Sequence, residues 1–400
     1  MSDLSISRYF PFRRVKITGQ SVWAEEKLAM IKVEPDQRFT PICHLCGAPA
    51  RRVHSRDTRA IRDLSLALVV IRLICRYRKV YCSVCEQIVV EDLEFFQPYQ
   101  LVTIRLAHYV HELCKMLTVM EVADHLGLNW KTVKNIDQAF LEAKYGQTDY
   151  EGLRILAVDE IAVRKGHHYM TVVLDYETGR VVWMAEGRST ETLKVFFAGM
   201  TQQQLQNLEA VAMDMWEPYI KAVQEAAPQV KLVFDLFHVV AAFSRVIDQV
   251  RMDEYRQASK QNKEVFKGAK YLLLRNTPRL QADEKSHLAQ LLSLNHNLLI
   301  LVILKDKPKE IWRYRRRGWA LKALVARSAV ARLVGHPAVD RFARRLERYS
   351  YGILNHCDYP IHTSRLEGVN NKIKVIKRKA YGFHDNRYFA LKVIQAFALG

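Results

Sequence analysis

No apolar run in this chain is long enough to cross a bilayer. The longest clean one, LLILVIL at 298–304, stops far short of the ~20 residues that a spanning helix needs. The opening stretch, MSDLSISRYFPFRRV, lacks the apolar centre of a secretory leader. The expectation is therefore a reducing, intracellular setting with no membrane partner. No internal repeat and no low-complexity linker is visible. Acidic residues are scarce beside basic ones, with 42 Asp plus Glu against 61 Lys plus Arg and a formal charge of +19. That imbalance suits a polyanion, with DNA or RNA ahead of an anionic membrane surface. A purely structural protein is hard to reconcile with it.

What is present describes a globular chain of several parts. Hydrophobic residues make up 49% and charged residues 26% of 400, which excludes general disorder. The length exceeds one comfortable core and predicts two to four domains.

Four of the seven cysteines form two pairs, Cys43-x2-Cys46 and Cys82-x2-Cys85. In a reducing compartment such spacing points to metal rather than disulfides. Each pair can sit on a tight knuckle, and four thiolates suit a tetrahedral, structural Zn²⁺ with no open catalytic position. A redox pair or buried free thiols are the alternatives, and His44, His54 or Cys75 could replace a ligand. Arginines at 51, 52, 56, 59, 62, 72, 76 and 78, with Lys79, surround this module. Such a collar fits contact with DNA phosphates, which positions a protein without specifying sequence.

Along the chain, residues 13–34 alternate loosely and read as a β-hairpin. The stretch LSLALVVIRLICRYRKVYC leading to Cys82 is strand-like, and from 103 to 145 the period is helical. Within it, TVMEVADHLGLNWKTVKNIDQAF at 118–140 has the layout of a helix-turn-helix. Val119, Val122, Ala123 and Leu126 form a first apolar face, Gly127 permits the turn and Asn129 caps the second helix. With Val133 and Ile136 inward, Trp130, Lys131, Thr132, Lys134 and Asn135 face a major groove. An ordinary helical hairpin is the plainer alternative.

From 153 the pattern becomes RILAVDEIAV, YMTVVLDYETG, RVVWMAEG, a helix from Thr190, then LEAVAMDM, a helix in WEPYIKAVQEAAP and a strand in VKLVFD. Three strands, a helix and further strands open an α/β or α+β sheet domain. From 241 to 349 strand signals vanish and an arginine-rich helical period takes over. The sheet domain thus reads as interrupted by an all-α insertion.

Asp159 lies in the first strand of this series, Asp214 closes the fourth, and Glu367 sits on a late helix, SRLEGVNNKIKVIKRKAYG at 364–382. At about 100° per residue, Glu367, Asn371, Lys374 and Arg378 share one stripe, opposite Leu366, Val369, Ile373 and Ile376. A lone carboxylate among cations suits an ion pair, or a nuclease metal ligand where phosphate arrives. In a ribonuclease H-like sheet the first and fourth strands are neighbours, so the two aspartates would converge. Three such acids could hold two Mg²⁺ ions about 4 Å apart. Glu160 should point to the other sheet face. An aspartate at a strand end is more often a turn residue, as Asp175 is expected to be.

The blocks AVDEIAVRKGHHYMTVVLD, AMDMWEPYIKAV, VFDLFHVV and SRLEGVNNKIKVIKRKAYGF resemble the zinc-ribbon DDE transposases of the ISL-three insertion-sequence family. The likeness runs in order from the cysteines almost to the last residue. It implies a multidomain α+β protein, with a zinc ribbon and helix-turn-helix before a ribonuclease H-like mixed-sheet domain broken by an all-α insertion. On these boundaries residues 1–40 are an N-terminal β segment, 41–98 the ribbon and 99–150 the helix-turn-helix. The core would take 151–240 and 350–400, with the insertion at 241–349.

The resemblance also assigns catalysis to Asp159, Asp214 and Glu367 with Mg²⁺ or Mn²⁺, and zinc to Cys43, Cys46, Cys82 and Cys85. Asp235-x-x-His238 resembles an element that follows the second acid in related transposases, so His238 would help arrange the scissile phosphate or the third acid. A satisfied core histidine is the alternative. Asn371, Lys374, Lys377 and Arg378 would hold the strand. Trp312 or Trp319 could stack on an unpaired base, although core packing is the commoner use of tryptophan. Arg365 departs from the smaller polar residue expected before Leu-Glu-Gly and bears on nearby phosphate contacts. The implied partners are double-stranded DNA, as terminal inverted repeats and target, and a second copy of the chain. The implied setting is bacterial, cytoplasmic and nucleoid-associated. A catalytically silent DNA-binding regulator and a structure-specific nuclease are the rival readings.

Overall fold

The computed structural model describes residues 10–398 apart from 99, 165, 167, 235, 276, 307 and 362, and leaves aside the side chains of 236, 237, 261, 278, 306, 308–310, 363 and 364. The chain divides into two units, Met1–Ala143 and Lys144–Gly400.

In the first unit, alternation builds a sheet with one apolar and one charged face. Its strands are β1 (Val15–Trp23), β2 (Leu28–Pro35), β3 (Arg52–Arg62), β4 (Val70–Cys82) and β5 (Gln87–Val90). The expected hairpin is β1 and β2. β4 runs parallel to β2 and antiparallel to β3 and β5. Ile31, Val33, Ile61, Ile71, Leu73 and Cys75 turn to one side and pack with Phe95 and Phe96. β3 leaves no mark in the sequence pattern, because only Ile61 among its side chains is buried. A strand with so little apolar surface carries almost no period-2 signal.

Three helices follow: α1 (Ile104–Met116), α2 (Val119–Leu126) and α3 (Trp130–Tyr145). Thr103 caps α1 and donates to the fully buried Asp63 at 2.7 Å, which Arg105 also engages. Thr118 and Glu121 form a reciprocal capping box on α2. Gly127 ends that helix at φ +61°, the left-handed conformation a residue with a Cβ adopts at a cost. The Asn129 carboxamide oxygen accepts from the Lys131 amide at 2.9 Å, capping α3 as expected.

The second unit is built on β6 (Ile155–Arg164), β7 (His168–Asp175), β8 (Val181–Glu186), β9 (Ala210–Met213) and β10 (Lys231–Phe234). Helices α4 (Thr190–Ala198) and α5 (Gln202–Asn207) precede β9, and α6 (Glu217–Ala226) precedes β10. The strand order is β10-β9-β6-β7-β8. β6, β7 and β8 form an antiparallel meander, whereas β9 and β10 add parallel to β6. The first and fourth strands of this series are therefore neighbours.

Beyond β10 the described residues contain only helices and turns: α7 (Leu236–Gln257), α8 (Lys260–Val265), α9 (Ala269–Leu274), α10 (Ala282–Leu294), α11 (His296–Asp306), α12 (Arg317–Arg332), α13 (Pro337–Arg348), α14 (Ser350–Leu354), α15 (Thr363–Lys379) and α16 (Asn386–Phe397). The sheet buries both faces. On one, Leu156, Val158, Val211 and Leu232 pack with α4 and α6, and the same core runs on into Phe243, Leu301, Leu324 and Phe342. On the other, Ala157, Val172 and Ala212 meet Leu366, Val369 and Ile373 of α15 and Phe389 of α16. Gly352 lets α14 lie close on β10: a Cβ there would stand 2.4 Å from the Phe234 ring. Trp312 is partly buried against the first core, whereas Trp319 is exposed with the Lys322 ammonium over its ring.

Candidate functional site

Parallel pairing sets the two aspartates side by side. β6 and β9 are in register through Ile155 with Ala210 and Ala157 with Ala212. Two residues further along both chains, Asp159 stands beside Asp214, just past the end of β9. Ala157 and Ala212 face α15, and strand alternation gives the two acids that same face.

Each aspartate is oriented in a similar way. The Glu160 amide donates to Asp159 Oδ1 at 2.8 Å, and the Met215 amide donates to Asp214 Oδ1 at 2.6 Å. The other oxygens are engaged separately. Asn370 Nδ2 of α15 donates to Asp159 Oδ2 at 2.5 Å, and His238 Nδ1 lies 3.5 Å from Asp214 Oδ2. Asp235 lies outside the described residues.

Glu367 is exposed on α15, one turn before Asn370. Asn371, Lys374 and Arg378 are exposed on the same helix, and Lys377 reaches the Ala162 carbonyl of β6 at 3.3 Å. Arg365 is committed to the β7–β8 turn, donating to the Tyr176 and Glu177 carbonyls. It thereby ties the start of α15 to the sheet. Among the described residues, only the four cysteines bring three or more ligand atoms within 4.8 Å of one another. The three acids do not draw together that closely. Their donor set, hard carboxylate oxygens, suits Mg²⁺ or Mn²⁺ rather than a thiophilic ion.

Further residues complete the surroundings of the two aspartates. Asn370 lies i+3 from Glu367, a spacing that could have suggested it. Glu160 turns away from Asp159, as alternation predicts, towards the Arg188 guanidinium at 4.0 Å. Burial, then the charges of Asp159 and Asp214, hold its carboxyl above the ordinary range. Arg188 lies over the rings of Tyr169 and Trp216, and the Trp216 indole N–H donates to the Arg188 carbonyl at 3.2 Å. From α13, Arg345 donates to the Met215 carbonyl at 2.7 Å. Arg348 pairs with Glu217 at 3.2 Å, and the Tyr349 hydroxyl donates to Glu217 at 2.6 Å. The backbone after Asp214 is thus held from residues 130 positions later in sequence.

The cysteines are gathered by the turn at 43–47 and the end of β4. Cys43 Sγ lies 3.9 Å from Cys85 Sγ, and Cys46 Sγ lies 3.6 Å from Cys82 Sγ. Zn–S bonds of about 2.3 Å in a tetrahedron give edges of about 3.8 Å, so the spacing fits a zinc ribbon. The Leu45 amide donates to Cys43 Sγ and the Cys85 amide to Cys82 Sγ, both at 3.4 Å. The alternative ligands are otherwise placed. Cys75 faces the apolar core, where burial pushes its thiol up to about 12. His44 Nδ1 lies 2.8 Å from the Val90 carbonyl, and His54 is exposed.

In the helix-turn-helix, Val122, Ala123, Val133 and Ile136 are buried together, with Val119 and Leu126 packed at their edge. Trp130, Lys131 and Asn135 are exposed, Thr132 and Lys134 partly so. No helix among the described residues is long and apolar enough to cross a membrane.

Comparison with known proteins agrees with these features. Residues 156–393 match the ISL3 family model described as "Transposase", and residues 91–141 match "Helix-turn-helix domain of transposase family ISL3". The chain is 40% identical over 380 residues to the transposase for insertion sequence element IS1001 of Bordetella parapertussis, covering 94% of this chain and 93% of that protein. The transposase for insertion sequence element IS1557 of Mycobacterium tuberculosis is 24% identical over 288 residues, 66% of this chain and 65% of its own. The chain therefore belongs to the ISL3 family of insertion-sequence transposases, with a helix-turn-helix for DNA and a DDE-type catalytic domain.

Proposed function

We propose that the second sheet is a ribonuclease H-like core in which Asp159, Asp214 and Glu367 hold Mg²⁺ or Mn²⁺ and carry out DNA cleavage and strand transfer. The observation that carries this reading is the register of β6 and β9, which sets Asp159 beside Asp214 on the face covered by α15. The strand order and the Asn370 contact to Asp159 support it. Bound there, the ions would activate the attacking oxygen and stabilise the leaving one.

The chain's own groups do the positioning. Backbone amides and Asn370 fix the aspartates, His238 orients Asp214, and Lys374, Lys377, Arg378 and Asn371 hold the strand near Glu367. Water attacks the phosphodiester at the element end and releases a 3′-hydroxyl. That hydroxyl then attacks a target phosphodiester, so one P–O bond forms as one breaks in each step. No residue becomes joined to DNA.

Upstream, Zn²⁺ held by Cys43, Cys46, Cys82 and Cys85 stabilises the ribbon of 41–98. Trp130, Lys131, Thr132, Lys134 and Asn135 read the terminal inverted repeats within a module of 99–150. The helical stretch 241–349 separates the core segments 151–240 and 350–400, and joining two ends requires at least a dimer on DNA. Such a protein works in the bacterial cytoplasm on the nucleoid.

The test is cleavage of a labelled duplex carrying the repeats that flank the gene, with Mg²⁺ or Mn²⁺, by wild type and Glu367→Gln. Metal-dependent cuts at the repeat tip by wild type alone are expected. Cuts that persist in the variant would mean that Glu367 is not the third acid. Equal binding with no cuts by either protein would favour a silent regulator.

A further inference from the structure

The first sheet carries an open face that neither matched family segment includes. Its buried face follows the odd-numbered residues of β2 and of β4 as far as Tyr77, so over that stretch the even-numbered ones turn to the other face, where Lys32, Arg72 and Arg76 are exposed. Lys16, Lys32, Arg56, Arg72 and Arg76 are exposed there, beside the hydroxyls of Thr18 and Thr58. An open groove of about 500 Å³ lies among Thr18, Lys32, Arg56, Thr58, Ile74 and Arg76. The carboxylates at this groove are already neutralised, Glu34 by Arg76 at 3.6 Å and Asp57 by Lys79 at 3.0 Å.

Two rungs of the ladder set like charges directly opposite, Arg56 with Arg78 and Arg62 with Arg72. Such pairs disfavour a sheet. Glu91 relieves Arg78, whose Nε and Nη2 both meet Glu91 Oε2, but the Arg72 charge still lowers the proton affinity of Arg62, second to burial. A surface that only kept the chain soluble would gain nothing from concentrating cations on one side of one sheet.

We propose that this face binds the sugar–phosphate backbone of duplex DNA, as a second contact surface besides the helix-turn-helix. Charge decides for DNA, because cations in excess of the carboxylates, set beside hydroxyl donors on an extended face, match phosphate oxygens and offer little to an apolar partner. The scale also fits. Arg72 and Arg76, four residues apart, span about 13 Å along β4, and the four strands span about 14 Å. Phosphates on one strand recur about every 7 Å, so a few contacts are available at once. The contacts carry no sequence information and anchor the repeat while α3 reads it. The proposal rests on DNA being the substrate and is independent of which acids cut it.

The test compares the full chain with Lys32→Gln/Arg56→Gln/Arg72→Gln and with a charge-matched control, Lys221→Gln/Lys260→Gln/Lys285→Gln. Affinity for the repeat duplex and for a random duplex is measured from low to moderate salt without divalent cation. Cleavage chemistry, and hence the acid assignment, therefore plays no part. Each lost phosphate contact reduces the slope of log K against log salt by about 0.9, so the sheet variant should lose roughly 2 to 3 in slope on both duplexes. The control should keep the wild-type slope, and the thermal midpoint of the sheet variant should hold or rise because like-charge rungs are relieved. An unchanged slope in a folded variant overturns the proposal, as does an equal loss in the control. A loss confined to the repeat duplex would indicate base readout and overturn it as well.

Discussion

Arg345→Ala isolates what the helical stretch contributes to the placement of Asp214, the second acid of the proposed site. The guanidinium on α13 donates to the Met215 carbonyl at 2.7 Å, and Met215 directly follows Asp214. Its own amide holds Asp214 Oδ1. A hydrogen bond from a charged donor contributes roughly 1.5–3 kcal/mol when sheltered. Arg345 is exposed and its bond to Met215 only part-buried, so solvent screening brings the expected value to about 1 kcal/mol. Arg348 and Glu217 are more than half exposed, and their pair should add little. If that 1 kcal/mol biases the loop towards the arrangement that presents Asp214, its loss lowers the single-turnover cleavage rate about fivefold. The apparent Mg²⁺ requirement should rise as well, while repeat binding stays unchanged. The assay is single-turnover cleavage at saturating protein across a Mg²⁺ titration, with binding measured separately. A rate within twofold of wild type, or an equal loss in Arg348→Ala, would refute the reasoning.

Two further outcomes follow from other parts of the chain. Cys82→Ser should lose the zinc that Cys75→Ser retains, as metal analysis of the purified proteins would reveal; zinc retained by Cys82→Ser sinks the four-thiolate assignment. Gly352→Ala should lower the thermal midpoint by several degrees, since a Cβ would press on Phe234 and overpacking costs about 1–3 kcal/mol. An unchanged midpoint would mean that Phe234 yields freely.

Much of the architecture was legible because burial leaves periodic traces. The five strands of the second unit announce themselves as apolar runs, and Val122, Ala123, Val133 and Ile136 mark the packed side of the helix-turn-helix. The cysteine pairs needed only spacing. β3 was not legible, since a strand whose surface serves charge rather than core has no apolar alternation to detect. The stripe through Glu367 selects Asn371 and not Asn370, because wheel geometry fixes a stripe, not which edge of it meets the sheet. The cluster of Glu160, Arg188 and Trp216 brings together residues from three separate segments, and only the folded sheet makes them neighbours. Likewise, nothing in RRLERYS indicates that Arg345 reaches back to Met215.

One core joins Leu156, Val158 and Leu232 of the sheet to Phe243, Leu324 and Phe342 of the helices that follow. The helical stretch is consequently not a cassette. A shortened transposase that spliced Phe234 directly to α14 would keep every described strand and Asp159, Asp214 and Glu367 in its sequence. It would nonetheless cut away the part of the first core that those helices supply, leaving apolar surface that seeks another molecule instead of water. Minimal versions of this enzyme must therefore be sought by trimming loops between helices, not by removing the helices themselves.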